Sequence, residues 1–229
     1  MRVPWPYVAQ QQRGNFDGVV QYYFPGQEQF ILPESASFSS DILAEEDHKL
    51  LLQGWIEESQ PGLDAEVTLS LLYQGSRDGF GAADFHAKCD DKGATVTIVK
   101  STEGFIFGGY SDQSWATSGD SYGVWKSSSR AFLFSVVNSA KLAPLKLPQD
   151  QQCDEEAVYC EHDCGPSFGS EDDLNIDDEC NSDDSSYSYL GGTYTLPPGQ
   201  NAQTFLAGSN NFRVADYEVF AALLCSSDD

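Results

Sequence analysis

LSLLYQGSRDGFGAADFHAKCDDKGATVTIVK, residues 69–100, is the stretch that decides the fold of this chain. Apolar and polar residues alternate over Leu69–Tyr73, which predicts a β-strand. A polar turn, Gly75–Gly79, separates this strand from Phe85–Cys89, whose apolar residues have helical spacing. A second turn rich in Asp and Gly leads to Thr95–Lys100, where β-branched residues predict another strand. The stretch therefore reads as strand, short helix, strand.

On the N-terminal side, the pattern predicts an amphipathic helix. Ser40 and Asp41 precede apolar residues at three- and four-residue spacing, and acidic residues occupy the first turns. Acidic side chains are favourable near a helix N-terminus because they face the positive end of the helix dipole. We expect this helix to begin after Asp41 and to end near Glu57–Gly62.

On the C-terminal side, short strand-like runs alternate with turns and loops. Gly104–Tyr110 is expected to pair with the preceding strand, and Ser111–Ser129 reads as a long surface loop. Ala131–Val137 is almost continuously apolar, which is typical of a strand buried on both faces. The remaining segments are expected to be strands or extended chain at Ala157–Cys160, Asp173–Ile176, Leu190–Tyr194, Phe205–Gly208 and Phe212–Leu223, with a turn at Gly165–Gly169.

Composition limits the classes of protein to which the chain can belong. With 229 residues, 40% hydrophobic and 13% aromatic, it can bury a substantial core. It contains no apolar run of membrane-spanning length and no signal-peptide pattern at Met1–Pro6, so we expect a cytoplasmic protein. A net charge of −24 disfavours nucleic acid and anionic lipid as partners, and favours a basic surface or divalent cations. A heavily solvated surface is the alternative explanation.

Three blocks of sequence resemble the TLDc domain of the oxidation-resistance proteins. They are SRDGF…FHxKCDxKG within 76–93, FGGY…SW…AFLF within 107–134, and GPSFG…DLNI…SSYSxLGxxY…FLAGSxxFxVxxxEVF within 165–220. The resemblance covers about residues 36–222. It implies an α+β, mostly β fold, in which two antiparallel sheets pack as a sandwich with short flanking helices. We expect residues 1–35 to be an aromatic and Gln-rich extension, 36–225 a single TLDc domain and 226–229 an acidic tail.

The resemblance also implies a class of function. TLDc proteins are linked to oxidative-stress resistance and to binding the V-ATPase, so a non-enzymatic regulatory or interaction module that binds a protein partner is the first hypothesis. No cofactor is expected. One alternative is a structural subunit of a larger assembly that docks through the aromatic N-terminal segment. Another is an enzyme.

The enzyme hypothesis depends on His86 and Cys89. These residues share a helical face at i and i+3, and a cysteine beside a histidine suggests an activated nucleophile. Catalytic pairs usually come from different elements, however, so packing on a short helix is the simpler interpretation.

Two metal-binding patterns are present in the C-terminal half. Asp173, Asn175, Asp177 and Glu179 place oxygen ligands at alternate positions, as in the first half of a calcium loop. The glycine of such a loop is missing, and a strand with Leu174 and Ile176 inward and the acids outward fits better. Tight calcium binding is therefore not expected.

The second pattern concerns cysteine. Cys160, His162 and Cys164 carry zinc-ligand chemistry, but the chain has no CxxC pair. Six cysteines are few for a disulfide scaffold, and we expect reduced thiols.

Two polar turns are the candidate surfaces for a partner. The first is Ser76, Arg77, Asp78 and Gly79, and the second runs from Ser185, Ser186 and Tyr187 to Tyr189. Glu218, in the last predicted strand, is expected to pair with Arg77 or to accept hydrogen bonds from backbone amides, both of which are structural roles.

Overall fold

The computed structural model describes residues 15–16, 19–22, 30–31, 38–60, 65–116, 123–150, 154–170 and 173–226. Near the N-terminus, β1 (Asn15–Phe16), β2 (Val19–Tyr22) and β3 (Phe30–Ile31) pair in antiparallel order. The rest of the described chain is dominated by two larger sheets.

The first of these, sheet I, has six antiparallel strands in the order β4-β15-β5-β6-β8-β9. Its long C-terminal strand lies between two strands from the first half of the chain. The strands are β4 (Ala65–Gln74), β5 (Thr95–Ser101), β6 (Ile106–Ser111), β8 (Phe132–Val137), β9 (Leu145–Pro148) and β15 (Val214–Ser226).

Sheet II also has six antiparallel strands, in the order β14-β13-β12-β11-β10-β7. Its strands are shorter, between two and five residues. They are β7 (Val124–Lys126), β10 (Val158–Cys160), β11 (Cys164–Phe168), β12 (Leu174–Asp177), β13 (Ser186–Tyr187) and β14 (Asn211–Phe212).

In the described ranges, four helical segments accompany the sheets. They are α1 (Glu46–Glu58), α2 (Gly75–Asp78), α3 (Ala82–Cys89) and a 3-10 turn at Asp154–Glu156. None of the helices in the described ranges is long and apolar enough to cross a membrane.

The buried side chains form two clusters, one on each face of sheet I. Between the sheets, Phe107 and Tyr217 of sheet I join Phe168 and Ile176 of sheet II. On the opposite face, the apolar side of α1 covers sheet I.

This second cluster contains Trp55 and Ile56 of α1 with Val96, Ile98 and Phe134 of the sheet. Because both faces of sheet I are covered, its central strands are buried at nearly every position, as in Thr95–Val99.

The predicted fold class is confirmed, since two antiparallel sheets pack face to face with short helices outside. The strands expected at residues 69–73, 95–100, 104–110 and 131–137 and the helix at 85–89 are all present within a few residues of the predicted bounds.

Several boundaries were wrong. The first helix begins at Glu46 rather than after Asp41, because the Ser40 hydroxyl accepts hydrogen bonds from the amides of Ile42 (3.1 Å) and Leu43 (2.9 Å) and holds a turn there. The expected turn at 165–169 falls largely within β11, and the expected loop at 111–129 contains β7.

Two further segments are not strands. Residues 205–208 form turns rather than a strand, although Phe205 and Leu206 are buried in the core. Residues 190–194 contribute only an isolated bridge between Tyr194 and Gln149.

Replacing Phe134 by Ala is expected to lower the free energy of unfolding by about 3–5 kcal/mol, because it leaves a cavity between sheet I and α1. Phe134 is fully buried, and its ring lies 6.4 Å from that of Trp55. Replacing Phe132, whose ring stacks on that of Tyr110, by Ala is expected to have a similar effect. Denaturant titration measures the effect.

The matched control is Val137→Ala in the same strand, where the side chain is 39% exposed and the expected change is about 0.5 kcal/mol. Equal unfolding midpoints for Phe134→Ala and Val137→Ala would contradict the burial of Phe134 between sheet I and α1.

Candidate functional site

His86 is a buried side chain that connects α3 to the turn between β10 and β11. Its Nδ1 lies 2.8 Å from Asp90 Oδ1, and its Nε2 lies 2.8 Å from the Glu161 carbonyl and 3.1 Å from the Cys164 carbonyl. Carbonyl oxygens only accept hydrogen bonds, so Nε2 carries a proton and donates it. Both ring nitrogens are therefore engaged in holding the fold together.

Cys89, the other half of the catalytic hypothesis, is fully buried in the core between the sheets. Burial raises the pKa of the Cys89 thiol well above its ordinary value, and the nearby Asp90 and Asp78 carboxylates add to this effect. The thiolate is the nucleophilic form of cysteine, so this environment opposes nucleophilic chemistry. The packing interpretation of the pair fits its surroundings.

Asp173, the first calcium candidate, is completely buried, which contradicts the expectation that the acids face outward. Its carboxylate accepts hydrogen bonds from the amides of Gly191 (2.6 Å), Gly192 (3.1 Å), Thr193 (2.7 Å) and Tyr194 (3.4 Å). A carboxylate with this many amide donors is accounted for without a cation. It holds the 191–194 segment against the start of β12.

The other calcium candidates are spread along β12 and the turn after it. Asn175 is 8% exposed, Asp177 is half-buried at the end of the strand, and Glu179 is exposed with a φ of 48°. Over the described parts of the chain, no three acidic, histidine or cysteine side chains are grouped as metal ligands.

The zinc candidates also point to packing. Cys160 and Cys164 are buried free thiols, whereas His162 is exposed in the turn between their strands. Burial raises the pKa of Cys160, and it raises that of Cys164 to about 12. Cys89 and Cys180 are also buried and free.

The first candidate surface for a partner is the one-turn helix α2, where the sequence predicted a turn. Ser76 and Arg77 are exposed, while Asp78 and Gly79 are half-buried. The Arg77 guanidinium contacts both carboxylate oxygens of Asp78, with Nη2 2.6 Å from Oδ2, and it lowers the pKa of that carboxyl.

A hydrogen-bonded group at this end of sheet I consists of Asp41, Gln74, Ser76 and Asp216. Together with the adjacent Arg77–Asp78 pair, whose Asp78 carboxylate accepts from the Gln74 amide (3.0 Å), we call this group the α2 platform. The Asp216 carboxylate accepts from the Ser76 amide (2.9 Å) and hydroxyl (2.7 Å). Gln74 Nε2 donates to Asp216 (3.1 Å) and to Asp41 (3.2 Å). The platform therefore joins β4, β15 and the segment before α1.

Glu218 lies beneath the platform and is 1% exposed. Its carboxylate accepts hydrogen bonds from the Ser40 hydroxyl (2.5 Å) and the Asp41 amide (2.8 Å), so the expected role in binding a backbone amide is confirmed. The alternative, an ion pair between Glu218 and Arg77, is not formed, because Arg77 pairs with Asp78. Glu218 is opposite Gln74 in the β4–β15 register, which explains why the candidate turn and Glu218 are close.

The second candidate surface does not lie wholly on the surface. Ser186 is fully buried and Ser188 is 1% exposed, because β13 pairs with β12 and β14 within sheet II. Ser185 and Tyr187 are half-buried, and Tyr189 is 46% exposed.

Sequence reasoning missed one functional-looking residue and gave another the wrong role. Asp216, around which the platform is built, was missed. Asp173 was considered as a calcium ligand, but it is a buried carboxylate that holds the 191–194 segment. For Asp216, the only available signal was its position two residues before Glu218 in the same strand. For Asp173, the signal was the Gly191–Gly192 pair, whose amides can approach a carboxylate closely.

Glu218→Gln is expected to change how stability depends on pH. Burial raises the pKa of Glu218 above its ordinary value, so folding favours the protonated carboxyl. That contribution is fully present below the unfolded-state pKa, about 4.3, and is lost as the pH rises through the higher folded-state pKa.

Since Gln cannot ionise, the wild-type unfolding free energy minus that of Glu218→Gln should fall as the pH rises from 4 to 7. Denaturant titrations at several pH values measure this difference. A difference that is constant or rises with pH would contradict the burial effect.

Comparison with known proteins gives two findings. The family model of the TLDc domain matches residues 37–222. The MTOR-associated protein MEAK7 of Danio rerio is 39% identical over 66 residues, a segment that covers 29% of this chain and 14% of that protein. The chain therefore spans only a small part of this relative's length. Because the family match covers most of the sequence, the chain belongs to the TLDc domain family.

Proposed function

We propose that this chain is a non-enzymatic TLDc regulatory module that binds a protein partner through the α2 platform. The observation that carries the proposal is the arrangement of the platform itself. Of its exposed polar groups, Asp41 and Ser76 are held in place by Gln74 and Asp216, and Arg77 is held by Asp78. A surface fixed in this way loses little conformational entropy on binding, which favours affinity.

The partner surface that would complement the platform is basic. Two carboxylates, Asp41 and Asp216, stand at its centre, and the chain as a whole has a net charge of −24. Such a charge speeds association with a positive surface at low salt and loses this effect as the ionic strength rises.

The V-ATPase peripheral sector is the first candidate partner, on the basis of the TLDc resemblance, and a role in oxidative-stress resistance comes with it. We propose a cytoplasmic location with it. The relative from Danio rerio is described as mTOR-associated, which also supports a regulatory rather than a catalytic role. The surroundings of His86 and Cys89 also support a regulatory rather than a catalytic role, because both side chains stabilise the fold.

The proposal predicts that the purified chain co-sediments with the V-ATPase from the same source at low salt and less at high salt. Asp41→Asn should weaken binding roughly threefold, the effect expected for about 0.7 kcal/mol, because it removes one carboxylate that faces the basic partner. Glu103→Gln, an exposed acid in the turn between β5 and β6, is the matched control and should bind as the wild type does.

Circular dichroism establishes that each variant is folded. If the folded wild type fails to bind at either salt concentration, the structural-subunit hypothesis replaces this one. If Cys89→Ala abolishes a measured activity while the protein stays folded, an enzyme becomes the better explanation.

A further inference from the structure

A trough runs across the outer face of sheet II, opposite the face that packs on sheet I. The register places Tyr159 opposite Trp125 on one side and Ser167 on the other, Ser167 opposite Asn175, and Asn175 opposite Tyr187. Residues directly opposite each other in antiparallel strands project on the same face. The trough therefore has aromatic side chains at its two ends and small polar side chains between them, in a volume of about 460 Å³.

The Trp125–Tyr159 end of the trough is fixed by packing. The two ring centroids are 4.6 Å apart with planes tilted by 40°, and Trp125 is 37% exposed. The Tyr159 ring lies so close to Gly123 that a Cβ at that position would be 2.2 Å from Tyr159 Cζ. A flat aromatic surface is thus held in place with one part open to solvent.

Acidic side chains form one rim of the trough. Glu161, Asp163 and Asp177 all line it. Glu161 and Asp163 lie in the turn that precedes β11, and Asp177 is directly opposite Cys164, the first residue of β11, in the β11–β12 register. His86 fixes the turn that carries two of them by donating to the Glu161 and Cys164 carbonyls.

Charge and polarity define the kind of ligand. Among the described residues that line the trough, none is Lys or Arg, so the three carboxylates are not neutralised there. Beneath the trough, the buried Ser167 hydroxyl has no hydrogen-bond partner in the described part of the chain. An aromatic surface beside carboxylates is suited to a cation that is also flat, which is the property of a guanidinium group.

We propose that this trough binds an arginine side chain presented by an extended segment of a protein partner. The guanidinium stacks on the Trp125 and Tyr159 rings and donates hydrogen bonds to the Glu161 and Asp163 carboxylates. Three strand spacings separate Tyr159 from Tyr187, about 14 Å, which accommodates roughly four extended residues. The inference deepens the proposed docking function, on which it rests, by adding a second contact surface of stated chemistry.

The test uses the full chain and a capped tetrapeptide, Gly-Arg-Gly-Gly, with the same peptide carrying citrulline in place of arginine. Citrulline keeps the planar shape and removes the charge. Binding is followed by NMR through the Trp125 indole signal and the backbone amides of Gly123 and Glu161. The expected result is saturable shifts at these positions, with the citrulline peptide roughly tenfold weaker.

Variants separate the two halves of the site. Trp125→Ala, and the milder Tyr159→Leu, should each weaken the arginine peptide roughly tenfold by removing the stacking surface. Glu161→Gln should weaken it roughly threefold, while Glu103→Gln should leave it unchanged. The spectrum of each variant reports whether it is folded.

The inference is overturned if the wild type shows no shifts with the arginine peptide, or if both peptides bind equally well. It is also overturned if free guanidinium ion binds as tightly as the peptide, since the extended segment then contributes nothing. The V-ATPase takes no part in the peptide titration. Failure of the arginine peptide to bind therefore does not affect the co-sedimentation result, and failure to co-sediment does not affect the peptide result.

Discussion

The insertion of β15 between β4 and β5 is the constraint on which the rest of the structure depends. This C-terminal strand pairs along nine residues with β4 and along most of its first half with β5, more than a hundred residues away in sequence. Without it, sheet I would be split, and α1 and sheet II would have no continuous surface to cover. It also carries Asp216 and Glu218, so the α2 platform exists only when the sheet is closed.

The polar side chains that attract functional hypotheses are, in this chain, the ones that join separate elements. His86 connects α3 to the turn between β10 and β11, Asp173 holds the 191–194 segment, and Glu218 holds the turn before α1. Each is at least nine-tenths buried and engaged with backbone groups or a hydroxyl. Buried polar groups need such partners, because an unsatisfied one costs about 1–3 kcal/mol. Among the described residues, the platform and the trough are the surfaces to which we assign a binding role.

The sequence was sufficient for the elements in which local preference and burial agree. Thr95–Ser101 and Phe132–Val137 consist mostly of β-branched or apolar residues and are buried at nearly every position, so their pattern indicated strands. It failed where tertiary contacts override local preference. Cys164–Phe168 contains Gly and Pro, yet it is a strand between β10 and β12. Phe205 was expected in a strand, yet it lies in a turn and is still buried in the core.

The same physical limit applies to the candidate sites. Periodicity placed Asp173 on an outward face, yet four backbone amides from a segment about twenty residues away enclose its carboxylate. Hydrogen bonds of this kind depend on the closed fold and leave no local pattern. The trough on sheet II has the same origin, since only strand register brings Trp125 beside Tyr159 and places Tyr187 at the opposite end.

Hydrogen–deuterium exchange of the chain, free and bound to the V-ATPase peripheral sector, tests the docking account most directly. The account predicts slower exchange on binding for the amides of residues 74–79, in and next to the platform, and for those of 123–126 and 158–163 around the trough. The amides of β5 and β8 in the centre of sheet I should exchange equally slowly in both states. A bound state in which none of these surface segments is protected would contradict the account.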